Sequence, residues 1–117
     1  MKPRSDAVYL QDMLDALAQI SEYATGQDHQ SLSRDAMRLD AIVRRLEIVG
    51  EAARKVSEEL KRQHPDVPWG EIDGMRHRIV HDYANVDTAT VWDTVKADVP
   101  ALQAQLRAIL TQLPAVA

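Results

Sequence analysis

The sequence predicts an all-α fold, an up-down bundle of four to five helices, and three observations carry that prediction. Apolar residues recur at spacings of three and four through most of the 117 residues. Strand signals are nearly absent. Prolines at positions 65, 68 and 100 fall where that periodicity is interrupted or bent. A hydrophobic content of 45% over this length fits one domain, residues 1–117, around a single core.

The first helix opens at Ser5 or Asp6, either of which can cap it, and its inner face carries Leu10, Met13, Leu17 and Ile20. Gly26 is placed to end it. Beyond the polar linker "GQDHQS", the residues Leu32, Ala36, Leu39, Val43, Leu46, Ala53, Val56 and Leu60 predict one long second helix reaching about His64. Pro65 ends it, because the residue before a proline is disfavoured in helix, and Pro68 suits the first turn of a third helix from about Val67 to Tyr83. Asp87 can cap a fourth helix whose seam is Trp92, Val95, Val99, Leu102, Leu106, Ile109 and Leu113. Pro100 interrupts that seam, so a kink or break is expected, with Asp98 capping a fifth segment.

Composition narrows the chemistry. The chain has no cysteine, which excludes disulfides, thiolate metal sites and a cysteine nucleophile. No stretch approaches the roughly 18 apolar residues of a membrane span, and no export signal is visible, so a cytoplasmic protein is expected. The net charge of −4 gives no overall attraction to a polyanion, so nucleic-acid binding would require a local site. With two tryptophans, three tyrosines and no phenylalanine, a platform of stacked aromatics is disfavoured. On the second helix Asp40, Glu47, Glu51 and Glu58 form one flank, while Arg34, Arg38 and Arg45 lie opposite the core stripe. The bland expectation is a solvated face with the pairs Asp40/Arg44, Glu51/Lys55 and Glu58/Arg62; the arginines could instead meet RNA or an acidic partner.

The densest chemistry lies in "GMRHRIVHDYANVD", Gly74 to Asp87, which holds two arginines, two histidines and a tyrosine. Histidine, with an ordinary pKa of about 6.5, can take or give a proton at neutral pH, and a guanidinium donates two parallel bonds to phosphate. RNA carries its own nucleophile, the 2′-hydroxyl. A base, an acid and a positive charge near the phosphorane are therefore enough for cleavage. On a continuous helix Arg76 and Tyr83 share a face, but His81, five positions after Arg76, is turned away by about 140°. Either the helix ends near Asp82, or a second copy supplies the opposing wall, so self-association belongs to this expectation. Three plainer readings stand beside it. Arg76 could pair with Asp73, with His81 at the helix end and Tyr83 packed; His77 and His81, at i and i+4, could hold a metal, although no third ligand is indicated; and the segment could be a non-catalytic dimerisation or partner-binding surface.

The segments "RLDAIVRRLEIVGEAARKVSEEL", "HPDVPWGEIDGMRHRIVHDYANVDTATVWDTV" and "DVPALQAQL" together resemble the HepT-like branch of the HEPN superfamily, over about Arg38 to Leu106. The diagnostic element is Arg-x4-His-x-Tyr, present as Arg76, His81 and Tyr83. The resemblance implies a helical, homodimeric, metal-independent endoribonuclease that needs no cofactor, acting as the toxin of a type VII toxin–antitoxin pair. It implies Arg76 and His81 as the catalytic pair and Tyr83 as the acceptor of AMP from a cognate MNT-type nucleotidyltransferase antitoxin. Asp73 and His77 are possible supporting residues. Position 77 departs from the family pattern, where asparagine is common; His77 is polar and could keep the same hydrogen bonding.

Overall fold

The computed structural model describes residues 5–82 and 85–113, apart from the side chains of Arg76, His81 and Asp82. Helix α1, Asp6–Ala24, starts where the Ser5 side chain accepts the Val8 N–H at 3.4 Å. It stops before Gly26, whose φ of 74° is the left-handed conformation that glycine adopts without a Cβ clash. Its buried face includes the expected Leu10, Met13, Leu17 and Ile20.

The long second helix expected from the apolar stripe is three helices. These are α2, His29–Ser33; α3, Ala36–Lys55; and α4, Glu58–Gln63. Side-chain caps divide them. Asp28 and Ser31 form a reciprocal capping box at the start of α2, with Ser31 N–H donating to Asp28 Oδ1 at 2.7 Å and Asp28 N–H to Ser31 Oγ at 2.9 Å. Asp35 accepts the Arg38 N–H at 3.0 Å to open α3, and Ser57 accepts the Leu60 N–H at 3.2 Å to open α4. Each cap satisfies a helix-terminal donor locally, so the chain can turn without stranding it. Further ties set the direction of these turns. Arg38 donates to the Tyr23 carbonyl at 2.7 Å, joining the start of α3 to the end of α1, and Asp6 accepts both the N–H and the hydroxyl of Ser57 at 2.8 and 2.7 Å.

Because α3 starts afresh at Ala36, its inner face differs from the expected stripe. Ile42, Val43, Leu46, Val49, Ala52 and Ala53 are buried, whereas Ala36 is exposed. The surface charges also pair differently. Arg44 reaches forward to Glu47 at 3.6 Å and Glu51 at 3.9 Å, and Lys61 approaches Glu58 at 3.7 Å. The arginine stripe is likewise dispersed, since Arg34 caps the end of α2 and Arg38 is engaged with Asp35 and Tyr23.

Helix α5, Trp69–Ile79, follows the proline-rich turn and is shorter than expected at both ends. Two short antiparallel strands, β1 (Val80–Asp82) and β2 (Asn85–Val86), come next, and they were not legible in the pattern of the sequence. Asp87 then caps α6, Thr88–Asp93, by accepting the Thr90 N–H at 3.0 Å. Helix α7, Val99–Gln112, completes the described chain. Between α6 and α7 the expected break is a π-helical turn, Thr94–Asp98, and Asp98 makes no side-chain cap. The cause is Pro100, which has no N–H for the Lys96 carbonyl. The ladder slips by one residue, so that Val99 N–H bonds the Thr94 carbonyl, and the helical path continues. Val91 replaces Trp92 at the start of the buried seam; Trp92 and Leu113 are half-buried.

The architecture is all-α, with the small ladder as a local departure. Helix α1 packs most extensively on α3, with α5 also against α3 and α7 against α1. Leu10, Leu17, Ile20, Ile42, Val49, Ile79, Val91 and Leu106 are at most 1% exposed and belong to one hydrophobic cluster. Burying each such side chain contributes about 1.5–3 kcal/mol, before the entropy of ordering is subtracted.

Candidate active site at the end of α5

The candidate site is held by a helix anchored at both ends. At its start Trp69 Nε1 donates to the His64 carbonyl at 3.0 Å, and Ile72 N–H bonds the Pro68 carbonyl at 3.0 Å. Ile72, Met75 and Ile79, spaced by three and four, turn into the core. Gly50 of α3 lets the two helices meet closely, because a Cβ there would lie 3.4 Å from the Ile72 carbonyl oxygen. On the neighbouring flank Asp73 accepts from Arg54 Nε at 2.9 Å, a second link between α3 and α5.

The helix ends at Ile79, one turn after Arg76, and this corrects the expectation of a helix to Tyr83. The ladder that follows pairs Val80 with Val86 and Asp82 with Asn85. Two steps along β1 are thus matched by one along β2, which makes position 81 the extra residue of a β-bulge. At the far side the Asp87 N–H donates to the Ile79 carbonyl at 2.7 Å, tying the residue before β1 to the residue after β2.

Of the residues singled out in the sequence, Arg76 thus occupies α5 and His81 the bulge of β1. Their side chains, and Tyr83 as a whole, lie outside the described residues. His77 is exposed on α5. Asp73 is engaged by Arg54, nineteen positions away, an ion pair that no local spacing announces. The i,i+4 arrangement of His77 and His81 does not exist, because His81 is no longer on the helix. Among the described residues, no group of three or more His, Asp or Glu side chains comes together as a metal site. No described helix is long and apolar enough to cross a membrane.

The family described as ribonuclease HepT-like matches residues 13–109, a stretch that contains α3, α5, β1 and β2 whole. The chain belongs to the HepT-like ribonuclease family. With it comes membership of the HEPN superfamily, whose all-α fold this HepT-like chain has. The chain is 37% identical over 100 residues to "Probable ribonuclease HepT" of Thermococcus cleftensis, covering 86% of this chain and 91% of that protein. It is 34% identical over 102 residues to "Putative RNase TTE0752" of Caldanaerobacter subterraneus subsp. tengcongensis, covering 87% and 91%. A third relative, from Methanocaldococcus jannaschii, is "Gamma-glutamylcyclotransferase and putative RNase MJ0434", 30% identical over 106 residues that make up 91% of this HepT-like chain and 48% of that longer protein. No solved structure matches the chain.

Proposed function

We propose that this HepT-like protein is an endoribonuclease that cleaves RNA without a metal, with Arg76 and His81 as its catalytic residues. The observation that carries the reading is the end of α5 at Ile79 with a bulge at position 81. On one continuous helix Arg76 and His81 would diverge by about 140°. A helix end followed by a bulged strand frees the direction of His81 from that of Arg76, and bulges recur beside active sites because they re-aim a side chain.

In the proposed reaction a histidine takes the proton of the 2′-hydroxyl, and the oxygen attacks the adjacent phosphorus. The bond from phosphorus to the 5′-oxygen breaks, that oxygen receives a proton from an acid, and the products are a 2′,3′-cyclic phosphate and a 5′-hydroxyl end. Arg76 stabilises the charge that builds on the phosphorane. A homodimer that brings two copies of this corner together supplies two histidines, one as base and one as acid. His77 and Asp73 stand close in sequence as supporting residues.

The same reading makes the protein the toxin of a type VII toxin–antitoxin pair, silenced when an MNT-type nucleotidyltransferase transfers AMP to Tyr83. An adenylyl group two residues from His81 adds a bulky anion where RNA phosphates would approach. Cleavage of RNA by the purified protein, lost in His81→Ala, tests the enzyme. Undiminished cleavage by His81→Ala would remove His81 from the mechanism, and no cleavage by the unmodified wild type would favour the non-catalytic interaction module instead.

A further inference from the structure

A cleft of about 260 Å³ opens between α3 and α5, one helical turn before Arg76. Leu46, Gly50 and Ile72 line its inner part; Leu46 and Ile72 are buried and Gly50 has no side chain. Glu47, Glu51 and Arg54 line it from α3, and Asp73 from α5. The polar walls are organised, with Arg54 bound to Asp73 at 2.9 Å and Arg44 near Glu47 and Glu51 at 3.6 and 3.9 Å.

We propose that this cleft is a nucleobase subsite, which receives the base of a nucleotide flanking the cleaved bond and favours bases that carry an exocyclic amino group. The inference rests on the ribonuclease reading above. Size is the first argument. Drug-sized ligands occupy pockets of roughly 300–1,000 Å³, so this cleft suits a smaller planar group. At the floor Gly50 lies against the Ile72 carbonyl and raises no side chain from α3, which leaves room for the flat face of a ring. Charge is the second argument. Three carboxylates line the cleft with one guanidinium, that of Arg54, an excess of negative charge that disfavours phosphate and favours a neutral ligand offering N–H donors. Carboxylates accept from amino groups on base edges, as they do from cytosine N4, whereas uracil has no amino group to offer. Position is the third. Asp73 lies three residues before Arg76 on the same helix, so a base lodged beside Asp73 places its phosphates toward the end of α5.

The test has two arms on the full-length protein. In the first, RNA oligonucleotides differing at one position beside the cleaved bond are compared as relative kcat/KM. The wild type is expected to prefer adenine, cytosine or guanine over uracil by about tenfold, the scale of one well-placed polar pair. Glu51→Gln and Asp73→Asn should reduce that ratio to about twofold or less, while Glu22→Gln on α1, an exposed residue that does not line the cleft, leaves it intact. In the second arm adenosine, cytidine and uridine are titrated singly and followed by amide NMR. The Gly50 and Ile72 signals should move with adenosine or cytidine and stay still with uridine. This arm reports on the cleft even if the protein cleaves nothing, so failure of the enzyme reading and failure of the subsite are separable. Equal cleavage of all four bases, a preference that survives both substitutions, or equal shifts with all three nucleosides would each overturn the subsite.

Discussion

The amide of Asp87 donates to the carbonyl of Ile79 at 2.7 Å, so the last residue of α5 and the capping residue of α6 are joined across the segment that holds His81 and Tyr83. Asp87 serves twice, since its carboxylate also accepts the Thr90 N–H at 3.0 Å. The two roles can be separated. Asp87→Ala removes the cap and should cost about 1 kcal/mol, lowering the melting temperature by roughly 4 °C. Asp87→Pro fits the backbone φ of −81° and removes the N–H as well, so a further loss of about 0.5–1.5 kcal/mol is expected. Thermal melts of both variants measure this, and equal melting temperatures would mean that the tie to Ile79 contributes nothing.

Replacing Arg76 by lysine keeps the positive charge and removes the two-pronged donor. If Arg76 holds the phosphorane, Arg76→Lys should cleave RNA at least tenfold more slowly, and Arg76→Ala more slowly still, with the helical circular dichroism of both unchanged. A lysine variant with full activity would assign Arg76 a purely electrostatic part.

Tyr83→Phe should retain cleavage and escape silencing. A phenol with an ordinary pKa of about 10 is a poor base at neutral pH, while its hydroxyl can accept an adenylyl group. Incubation with an MNT-type nucleotidyltransferase and ATP, followed by intact mass measurement, is expected to add AMP to the wild type and not to the variant. AMP on the variant would place the acceptor elsewhere, and loss of cleavage would bring Tyr83 into the catalytic set.

The caps of α2 and α3 predict part of the response to acid. The Ser31 backbone N–H holds the Asp28 carboxyl below its ordinary value of 3.8, and the Arg38 backbone N–H, followed by the Arg38 side chain, does the same for Asp35. A carboxyl whose pKa is lowered on folding stabilises the folded state above its unfolded value, and that contribution is lost as the pH falls through the folded one. The stability advantage of the wild type over Asp35→Asn should therefore be full at about pH 5 and shrink below about pH 4. Denaturant midpoints at both pH values check this; an advantage that grows on acidification would contradict it.

What could be read along the chain was whatever depends on near neighbours. The Ser5 cap, the stop at Gly26, the inner face of α1, the Asp87 cap and most of the α7 seam follow from spacings of three and four and from residues that bond their own backbone. The motif of Arg76, His81 and Tyr83 was equally legible, being a matter of order and spacing. Tertiary structure decided the rest. An apolar stripe runs on across Asp35 and Ser57, so periodicity alone joins α2, α3 and α4; what separates them includes partners distant in the chain, Tyr23 for Arg38 and Asp6 for Ser57. Asp73 could be matched locally to Arg76, yet it is engaged by Arg54 because α3 and α5 meet at Gly50. Most consequential for the candidate site, Ile79 and Val80 continue the helical pattern, and nothing in it announces a strand. The bond from Asp87 to the Ile79 carbonyl and the pairing of Val80 with Val86 take the backbone groups that another helical turn would have used. That exchange, between residues eight and six positions apart, is what puts His81 on a bulge instead of on a helix.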